Sequence, residues 1–588
     1  MGRAASGGPK WLEWAELPAR KDVYTYAGTT RWGNHDLYPI PKKERTFGML
    51  AYFAYWITTG VSVGTYTLGS SYIALGLNAG ETLGAILGGC VISSFLGIFA
   101  GRPGMDYSLG YTMMNRVTFG LWGTTIPMTV VFLGGIVFSG IQAYYGGQAM
   151  TLILGAIFPT FHHMPNTLPA SAAITTQNLI GFLLFTAIYL PTLWFVPPHQ
   201  IRKGLYPSFI IICATFIGML AWSLKANGGA GNLVSSSLHL TRTEKAFRLV
   251  QCMSSVGGTW GGAAERYSDW TRFERKRHTS MPGMVIALPV TVTLSALFGV
   301  LITTATSKMY GTVQWNPLLL LQAIQADTYT PASRAGTFFA GVGLLSSQIF
   351  VNLTQNTIPY GMDLAGLFPR YLSMKRASVM LVFLTIIAQP WRFLSQASIF
   401  VTILSVLSGK AIPLTSLTFI FHFIPFHQKA NITFPATVYT SVTTSILIVD
   451  YFIIRKRLWR VPDLYVENGI YWYTNGWNLR CLAALVIGMV PALPGFFMTV
   501  INTNLSSPAV KIFQINYFVG ASLGPISYLL ICWIWPVPGT GQKELMSEGE
   551  GEAVVVVEGV AVSGEEEGKG KGAVVKEKAG SEEEIGLE

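Results

Sequence analysis

Long apolar runs alternate with short polar stretches from residue 48 to residue 535, and most runs have the length of a membrane helix. A spanning helix needs about 20 mostly apolar residues. By that measure the chain predicts twelve spans, at 48–74, 80–100, 123–157, 174–196, 206–224, 246–263, 283–306, 335–362, 377–391, 394–450, 480–501 and 514–535. The tenth run is too long for one helix and its pattern is disturbed.

Two runs carry glycines that a plain anchor would avoid. Span one reads YWITTGVSVGTYTLGSS, with Gly60, Gly64 and Gly69; span six reads SSVGGTWGGAAERYSDW, with Gly257, Gly258, Gly261 and Gly262 around Trp260. Small residues serve close helix packing. Two Gly-interrupted spans five apart in order also match the inverted-repeat transporter pattern, in which unwound segments face a substrate. Irregular backbone at membrane depth is tolerated only where it is packed in protein or lines a cavity. Both spans are therefore expected to break at their glycines.

Polar positions inside the runs follow the same logic. Gln142 lies deep in span three, and an amide in hydrocarbon without a partner costs several kcal/mol. It must face another helix or a wet cavity. Asn352 and Asn356 stand one turn apart in VNLTQNTIPYGMDLAG and share a helix face. Gln355 points off that face, and Pro359 and Gly361 are expected to end or bend the helix. Amides both donate and accept, which suits a planar ring bearing both functions. Tyr66, Phe138 and Trp260 could stack on such a ring. Arg or Lys clamps for a phosphate or dicarboxylate are absent from these positions.

Composition agrees. Of 588 residues, 51% are hydrophobic and 12% charged, against about 25% charged in soluble proteins, and mean hydropathy is +0.43. The class is an all-α integral membrane protein with the lipid bilayer as a partner. The net charge of +11 is then not a nucleic-acid signal, because basic residues concentrate in cytoplasmic loops. They cluster at Arg102 and Arg116, at Arg202 and Lys203, at Arg272–Arg277, at Arg370–Arg376 and at Arg455–Arg460. These are alternate loops, the loop with Arg242, Lys245 and Arg248 being a partial exception. The alternation and the even span count place both termini in the cytoplasm. The five cysteines, Cys90, Cys213, Cys252, Cys481 and Cys532, form no CxxC pair and read as inert thiols rather than a metal site or a disulfide framework. No cofactor is implied. The N-terminus has no apolar core of signal-peptide length. The chain divides into an N-terminal segment (1–47), a transporter domain (48–536) and a Gly/Glu/Lys-rich tail (537–588) expected to be disordered.

Four ordered motifs carry a resemblance. NHDLYPIPKKERTF (34–47) before span one, FHHMPNTLPASAAITT (161–176), YSDWTRFERKR after span six and MDLAGLFPRYLSMKR (362–376) resemble the nucleobase–cation symporter family one, in its fungal uracil-, allantoin-, uridine- and thiamine-permease-like branch. VDYFIIRKR and PALPGF extend the match, which runs from Trp32 to Pro536. The resemblance implies a five-plus-five inverted repeat (LeuT-like) with two extra helices, alternating access at the plasma membrane, and uptake of a heterocycle, usually with protons. It implies substrate-binding roles for Gln142, Phe138 (often Trp in the family), Trp260, Asn352 and Asn356. Sodium-coupled relatives carry hydroxyl residues where this chain has Phe350 and Val351, which offer no side-chain oxygen to a hard cation. Proton coupling follows as the expectation, with Glu265, Asp269, Asp363 and Glu81 as candidate carriers. Asp363 and Asp269 are preferred as structural partners of Arg370 or Arg272. Asn34 and Asp36 are either a solvated loop or, as the resemblance implies, part of a cytoplasmic gate.

Span ten departs from the family pattern. Between FVTILSVLSGK and VDYF an excess segment, about 409–445, includes His422, His427 and Lys429. It is a real insertion or a retained intron, since Gly409-Lys410 can be encoded by GGTAAG; the intron is preferred. The histidines lack further ligands at helical spacing.

An enzyme is disfavoured by the absence of paired carboxylates, HExxH or a phosphate loop, and a channel by the single-chain amide-and-aromatic site. A non-transporting sensor stays open, as does the substrate: uracil, allantoin or uridine, or alternatively thiamine or a related vitamin or nucleoside such as nicotinamide riboside.

Overall fold

The computed structural model describes residues 10–17, 31–74, 76–231, 240–310, 314–393, 436–500 and 506–540. The excess segment up to residue 435 and the tail from 541 lie outside the described residues. The described chain is helical, with two isolated bridges, Phe47 to Glu274 and Thr474 to Trp477, instead of named strands.

Eight described helices are long and apolar enough to cross a membrane. Four further elements complete the twelve spans: a broken pair at Met49–Ala74, Arg242–Glu265 with its five charged residues, Met374–Ile387, and Ala436–Val449 continued as a π-turn to Ile454. The sequence supplies the starts. Asn78 with Glu81 and Thr241 with Glu244 form reciprocal caps, and Thr330 with Pro331 opens the eighth span.

Span one is two helices, α1 (Met49–Gly60) and α2 (Val63–Ala74). The break falls beside Gly60, as the glycine pattern predicts. Span two is α3 (Ala79–Tyr107), followed by a short α4 (Tyr111–Phe119). Spans three, four and five are α5 (Thr125–Ile157), α6 (Thr176–Phe195) and α7 (Arg202–Asn227). Span six is α8 (Arg242–Glu265) and span seven is α9 (Leu288–Tyr310), entered through a π-turn at Gly283–Ala287. Span eight is α10 (Pro331–Val351), a π-turn at Asn352–Thr357, and α11 (Ile358–Leu367); span nine is α12 (Met374–Ile387).

One expectation fails here, and one is narrowed. Span six does not unwind at its glycines. It stays helical to Glu265 and breaks at Arg266 and Tyr267. A Cβ on Gly257 would stand 2.8 Å from the Tyr517 ring, and one on Gly261 2.9 Å from the Tyr517 oxygen. These two glycines admit a neighbouring helix instead. Nor do Pro359 and Gly361 end span eight, which runs on to Leu367. Pro359 follows directly on the π-turn, whose wider bonding accommodates its missing N–H within a continuous helix, and a Cβ on Gly361 would meet the Ser378 hydroxyl of α12.

The helices pack as two groups. Spans one, two, six and seven form one: α3 lies along α8, and α2 along α9. A Cβ at Gly69 would stand 2.6 Å from the Ala296 carbonyl oxygen, so this contact is backbone to backbone. Spans three, four, eight and nine form the other, with α5 packed on α6, α10 and α12. Span five bridges the groups, touching α1, α9 and α10.

Candidate functional site

Between the groups lies a cavity walled by spans one, three, six and eight, with Tyr439 and Thr440 of the tenth. The α1–α2 break contributes Thr59, Ser62, Gly64 and Thr65; the end of span six contributes Trp260, Glu265 and Arg266. Gly64 lets the Gln142 amide approach the break: a Cβ there would touch Gln142 Nε2 at 3.4 Å.

Four of the six sequence-predicted binding residues line this cavity: Phe138, Gln142, Trp260 and Asn356. Asn352 stands behind it. Its Nδ2 donates to the Ser139 carbonyl (3.3 Å), and its Oδ1 accepts from Asn356 Nδ2 (3.0 Å). It orients Asn356 instead of facing the cavity. Tyr66 is fully buried outside the lining, with its ring 5.8 Å from Phe216 and its hydroxyl 3.5 Å from Thr303. Beyond the break, α2 directs this ring toward spans five and seven.

Several lining residues escaped the sequence reading. Gln355 lies on the wall beside the Tyr55 phenol. The π-turn, whose bonds run i to i+5, shifts the register that an α-helix would give. Tyr55, Trp270 and Tyr360 also line the cavity; in apolar surroundings their rings read as ordinary core. Among the buried polar atoms on the wall, Gln142 Oε1 and Trp260 Nε1 lack a hydrogen-bond partner among the described residues. Buried polar groups are nearly always paired. One acceptor and one donor therefore await something the cavity holds.

The floor is ionic. Arg266 Nη2 lies 2.6 Å from Asp363 Oδ2, and Arg266 Nε is 3.9 Å from Asp269 Oδ2; its guanidinium sits 3.9 Å over the Tyr360 ring. Arg266 is therefore the ion-pair partner of Asp363. Arg370 pairs with Glu16 instead. Asp269 also accepts the Tyr111 N–H at 2.9 Å, and Arg272 stands near it. Glu81 is far from the floor, pairing with Lys245 at 2.8 Å in the α3 cap. Phe350 fills the space beside Gly204 of span five, Val351 lines the cavity, and the Thr354 hydroxyl donates to the Phe350 carbonyl.

Asn34 and Asp36 are not a solvated loop. Asn34 is 2% exposed, and its Nδ2 donates to the Pro369 and Leu372 carbonyls, both at 3.0 Å. Asp36 Oδ2 accepts the Met374 N–H (2.8 Å), and its carbonyl accepts from Arg272 (2.9 Å). Arg116, fully buried in α4, donates to the carbonyls of Trp32, Leu464 and Gly366. Burial works to raise the Asp36 carboxyl, but the His35 hydrogen bond, the Met374 N–H and the nearby Arg272 outweigh it and hold the group below the usual carboxylate range.

The same arrangement of helices occurs in a solved nucleobase-cation-symport-1 family transporter, Mhp1, in a closed conformation with bromovinylhydantoin bound. The TM-score is 0.63 at 18% identity, over 88% of this chain and 97% of that one. A sodium-coupled sialic acid symporter is similar at TM-score 0.51 and 9% identity, over 86% and 93%. At these identities the likeness shows the fold alone: an all-α, LeuT-like membrane fold with the five-plus-five inverted repeat. Among sequence relatives, the chain is 30% identical over 514 residues to an uncharacterized permease of Schizosaccharomyces pombe, covering 87% of this chain and 82% of that protein. It is 30% identical over 525 residues to a thiamine transporter of Saccharomyces cerevisiae (89% and 81%) and 28% identical over 529 residues to a nicotinamide riboside transporter of the same yeast (90% and 83%). The family of permeases for cytosine/purines, uracil, thiamine and allantoin matches residues 39–439 and again 428–520. The chain belongs to this family. It is a membrane transporter and not an enzyme.

Proposed function

We propose that this protein imports a nucleobase, nucleoside or related heterocycle by proton symport and alternating access, at the plasma membrane, with both termini cytoplasmic. The observation that carries the reading is the pair of unpartnered atoms on Gln142 and Trp260, facing one cavity beside a broken helix. A flat heterocycle would satisfy these atoms while stacking on Phe138 and Trp260. Asn356, held by Asn352, would supply a further amide. Proton rather than sodium coupling is supported by Phe350 and Val351, which give the cavity no ligating oxygen. Asn34 and Asp36 would act as a gate, because their bonds tie the loop after span six to the loop after span eight.

A second reading, a thiamine or nicotinamide riboside carrier, has support from the carboxylate of Glu265 on the cavity wall. The excess segment is proposed as a retained intron up to residue 435, since Tyr439 and Thr440 beyond it line the cavity, and sequencing transcripts across it tests this. Uptake of radiolabelled uracil, uridine, allantoin, thiamine and nicotinamide riboside in a transport-deficient host tests the function. We expect saturable uptake of at least one that rises as external pH falls and is unchanged when sodium is replaced by choline. Surface-localised protein that moves none of them would favour a sensor.

A further inference from the structure

Proton coupling calls for a group that can change its charge at the cavity and stay hydrogen-bonded in both states. Four carboxylates are candidates by sequence, and the structure separates them. Glu81 pairs with Lys245 at 2.8 Å in the α3 cap. Asp363 lies 2.6 Å from Arg266, and Asp269 accepts the Tyr111 N–H beside Arg266 and Arg272. Neither aspartate lines the cavity. Protonating either would leave a buried guanidinium short of its counter-charge, which is costly.

Glu265 is the one acidic side chain on the cavity wall among the described residues, and it is 1% exposed. Its hydrogen-bond partners are hydroxyls: Tyr111 donates to Oε1 at 2.8 Å, and Thr443 of span ten lies within reach. The neighbouring Arg266 guanidinium is committed to Asp363 and to the Tyr360 ring. The other titratable groups that face Glu265 are the phenols of Tyr360, Tyr439 and Tyr517 and the Asp363 carboxyl. A hydroxyl both donates and accepts. Tyr111 and Thr443 can therefore donate to the carboxylate and accept from the protonated acid, so neither state strands a buried polar group.

Tyr111 makes a second bond that leads away from the cavity. It is the first residue of α4, and its backbone N–H holds Asp269 at 2.9 Å. Gly110 before it packs on the same ion pair: a Cβ there would stand 2.5 Å from Asp269 Oδ1 and 3.4 Å from Arg272 Nη1. Arg272 in turn donates to the Asp36 carbonyl at 2.9 Å. One residue thus touches the cavity carboxylate with its phenol and the anchor of the 34–36 segment with its backbone.

We propose that Glu265 carries the coupled proton and that Tyr111 is the positioning residue that ties its charge state to the Asn34–Asp36 segment. The proposal rests on the proton-symport reading and deepens it. A proton from the outer solution passes to a Glu265 carboxylate oxygen while the cavity faces outward, and leaves to cytoplasmic water when it faces inward. One proton enters per cycle and no other reactant is consumed. A neutral carboxyl attracts the Tyr111 phenol less than the anion does. With the proton on, the start of α4 and the Asp269–Arg272 pair behind it are held less tightly.

Uptake in sodium-free choline buffer, from pH 8 to pH 5, tests this with the full chain at the surface of a transport-deficient host. The probe is whichever of labelled uracil, uridine, allantoin, thiamine and nicotinamide riboside the host accumulates. Wild-type uptake should rise at least ten-fold toward pH 5. In E265Q, whose amide cannot take the proton, the pH 5 to pH 8 ratio should fall to within two-fold of one. E265D should keep a rise with a displaced midpoint. Tyr111→Phe keeps the backbone bond to Asp269 but removes a donor to the anion, so its pH of half-maximal uptake should move upward by about half a unit or more. A tyrosine that only supports the fold would lower uptake or thermal stability at an unmoved midpoint, and that result overturns its positioning role. An acid-driven rise that survives E265Q overturns the assignment of Glu265. Where E265Q does not reach the surface, E265D and Tyr111→Phe decide, and midpoints equal to the wild type's overturn the proposal. If wild-type uptake requires sodium or does not rise in acid, the proton-symport reading itself fails. If wild type and E265Q rise alike, that reading stands and only the Glu265 assignment fails.

Discussion

Gln142 and Tyr66 were both polar groups in apolar runs, yet the structure gives them opposite situations. Gln142 keeps an unpaired oxygen on the cavity wall, whereas Tyr66 is buried beside Thr303 and Phe216. Their substitutions should separate accordingly. Leaving a ligand's buried polar group unmet costs about 1–3 kcal/mol, so Gln142→Ala should raise the KM of uptake by roughly 5- to 150-fold, at 1.4 kcal/mol per factor of ten. Tyr66→Phe removes only a 3.5 Å contact and should leave KM within about two-fold, since an ordinary hydrogen bond contributes near 1 kcal/mol at best and this one is long. Saturation kinetics of both variants, corrected for surface protein, checks the pair. Asn352→Ala should raise KM although Asn352 is off the wall, because Asn356 loses its 3.0 Å partner. Gln142 could be read from sequence because a lone amide in an apolar run has few bland explanations. Tyr66 and Gln355 could not. The break at Val61 and Ser62 sets where the Tyr66 ring goes, and the π-turn at Asn352–Thr357 changes which residues share a face. The π-turn leaves no mark in residue type, and Gly60 marks the break without saying where the ring beyond it points.

At the scale of the element, glycine count alone misplaces a broken helix. Span one and span six have similar glycine content, but only span one unwinds at its glycines. The difference is what lies opposite. Gly257 and Gly261 accept the ring of Tyr517, from a span more than two hundred residues away, and no local pattern announces that partner. Gly257→Ala should therefore destabilise the protein by overpacking, by about 1–3 kcal/mol, seen as a lowered thermal unfolding temperature in detergent. In a Tyr517→Ala background most of that penalty should vanish, since the clashing ring is gone. An equal penalty in both backgrounds would point to the helix's own backbone as the cause. Span count, loop order and the first break were legible because they depend on local apolar length and on Gly60. The ion-pair partner of Asp363 was not. Arg370 is seven residues along the chain, but Arg266, almost a hundred away, reaches it because span six ends beside α11.

For the molecule as a whole, the question is what joins the two helix groups at the face carrying the basic loops. The segment around Asn34 and Asp36 does so twice, through Arg272 on one side and through residues 369–374 on the other. Any motion that separates the groups at this face must break those bonds or carry the segment away. Asn34→Ala with Asp36→Ala should thus weaken the closed arrangement, changing KM and the maximal rate together while the protein still reaches the membrane. Asp36 alone gives a sharper test, because its carboxyl lies below the usual range in this arrangement, which favours the anion. A group with a depressed pKa contributes stability that is present above its unfolded value and is lost as pH falls through its folded one. With an ordinary aspartate near 3.9, the Asp36 contribution is complete at pH 5 and above and fades only at more acid pH. Asp36→Asn loses a charge-assisted bond to the Met374 N–H, about 1.5–3 kcal/mol. The gap in unfolding temperature between wild type and Asp36→Asn should then be constant from pH 8 to pH 5 and shrink below about pH 4. A gap that widened instead between pH 7 and pH 5 would mean that a protonated His35, 3.7 Å from the carboxylate, adds to the latch.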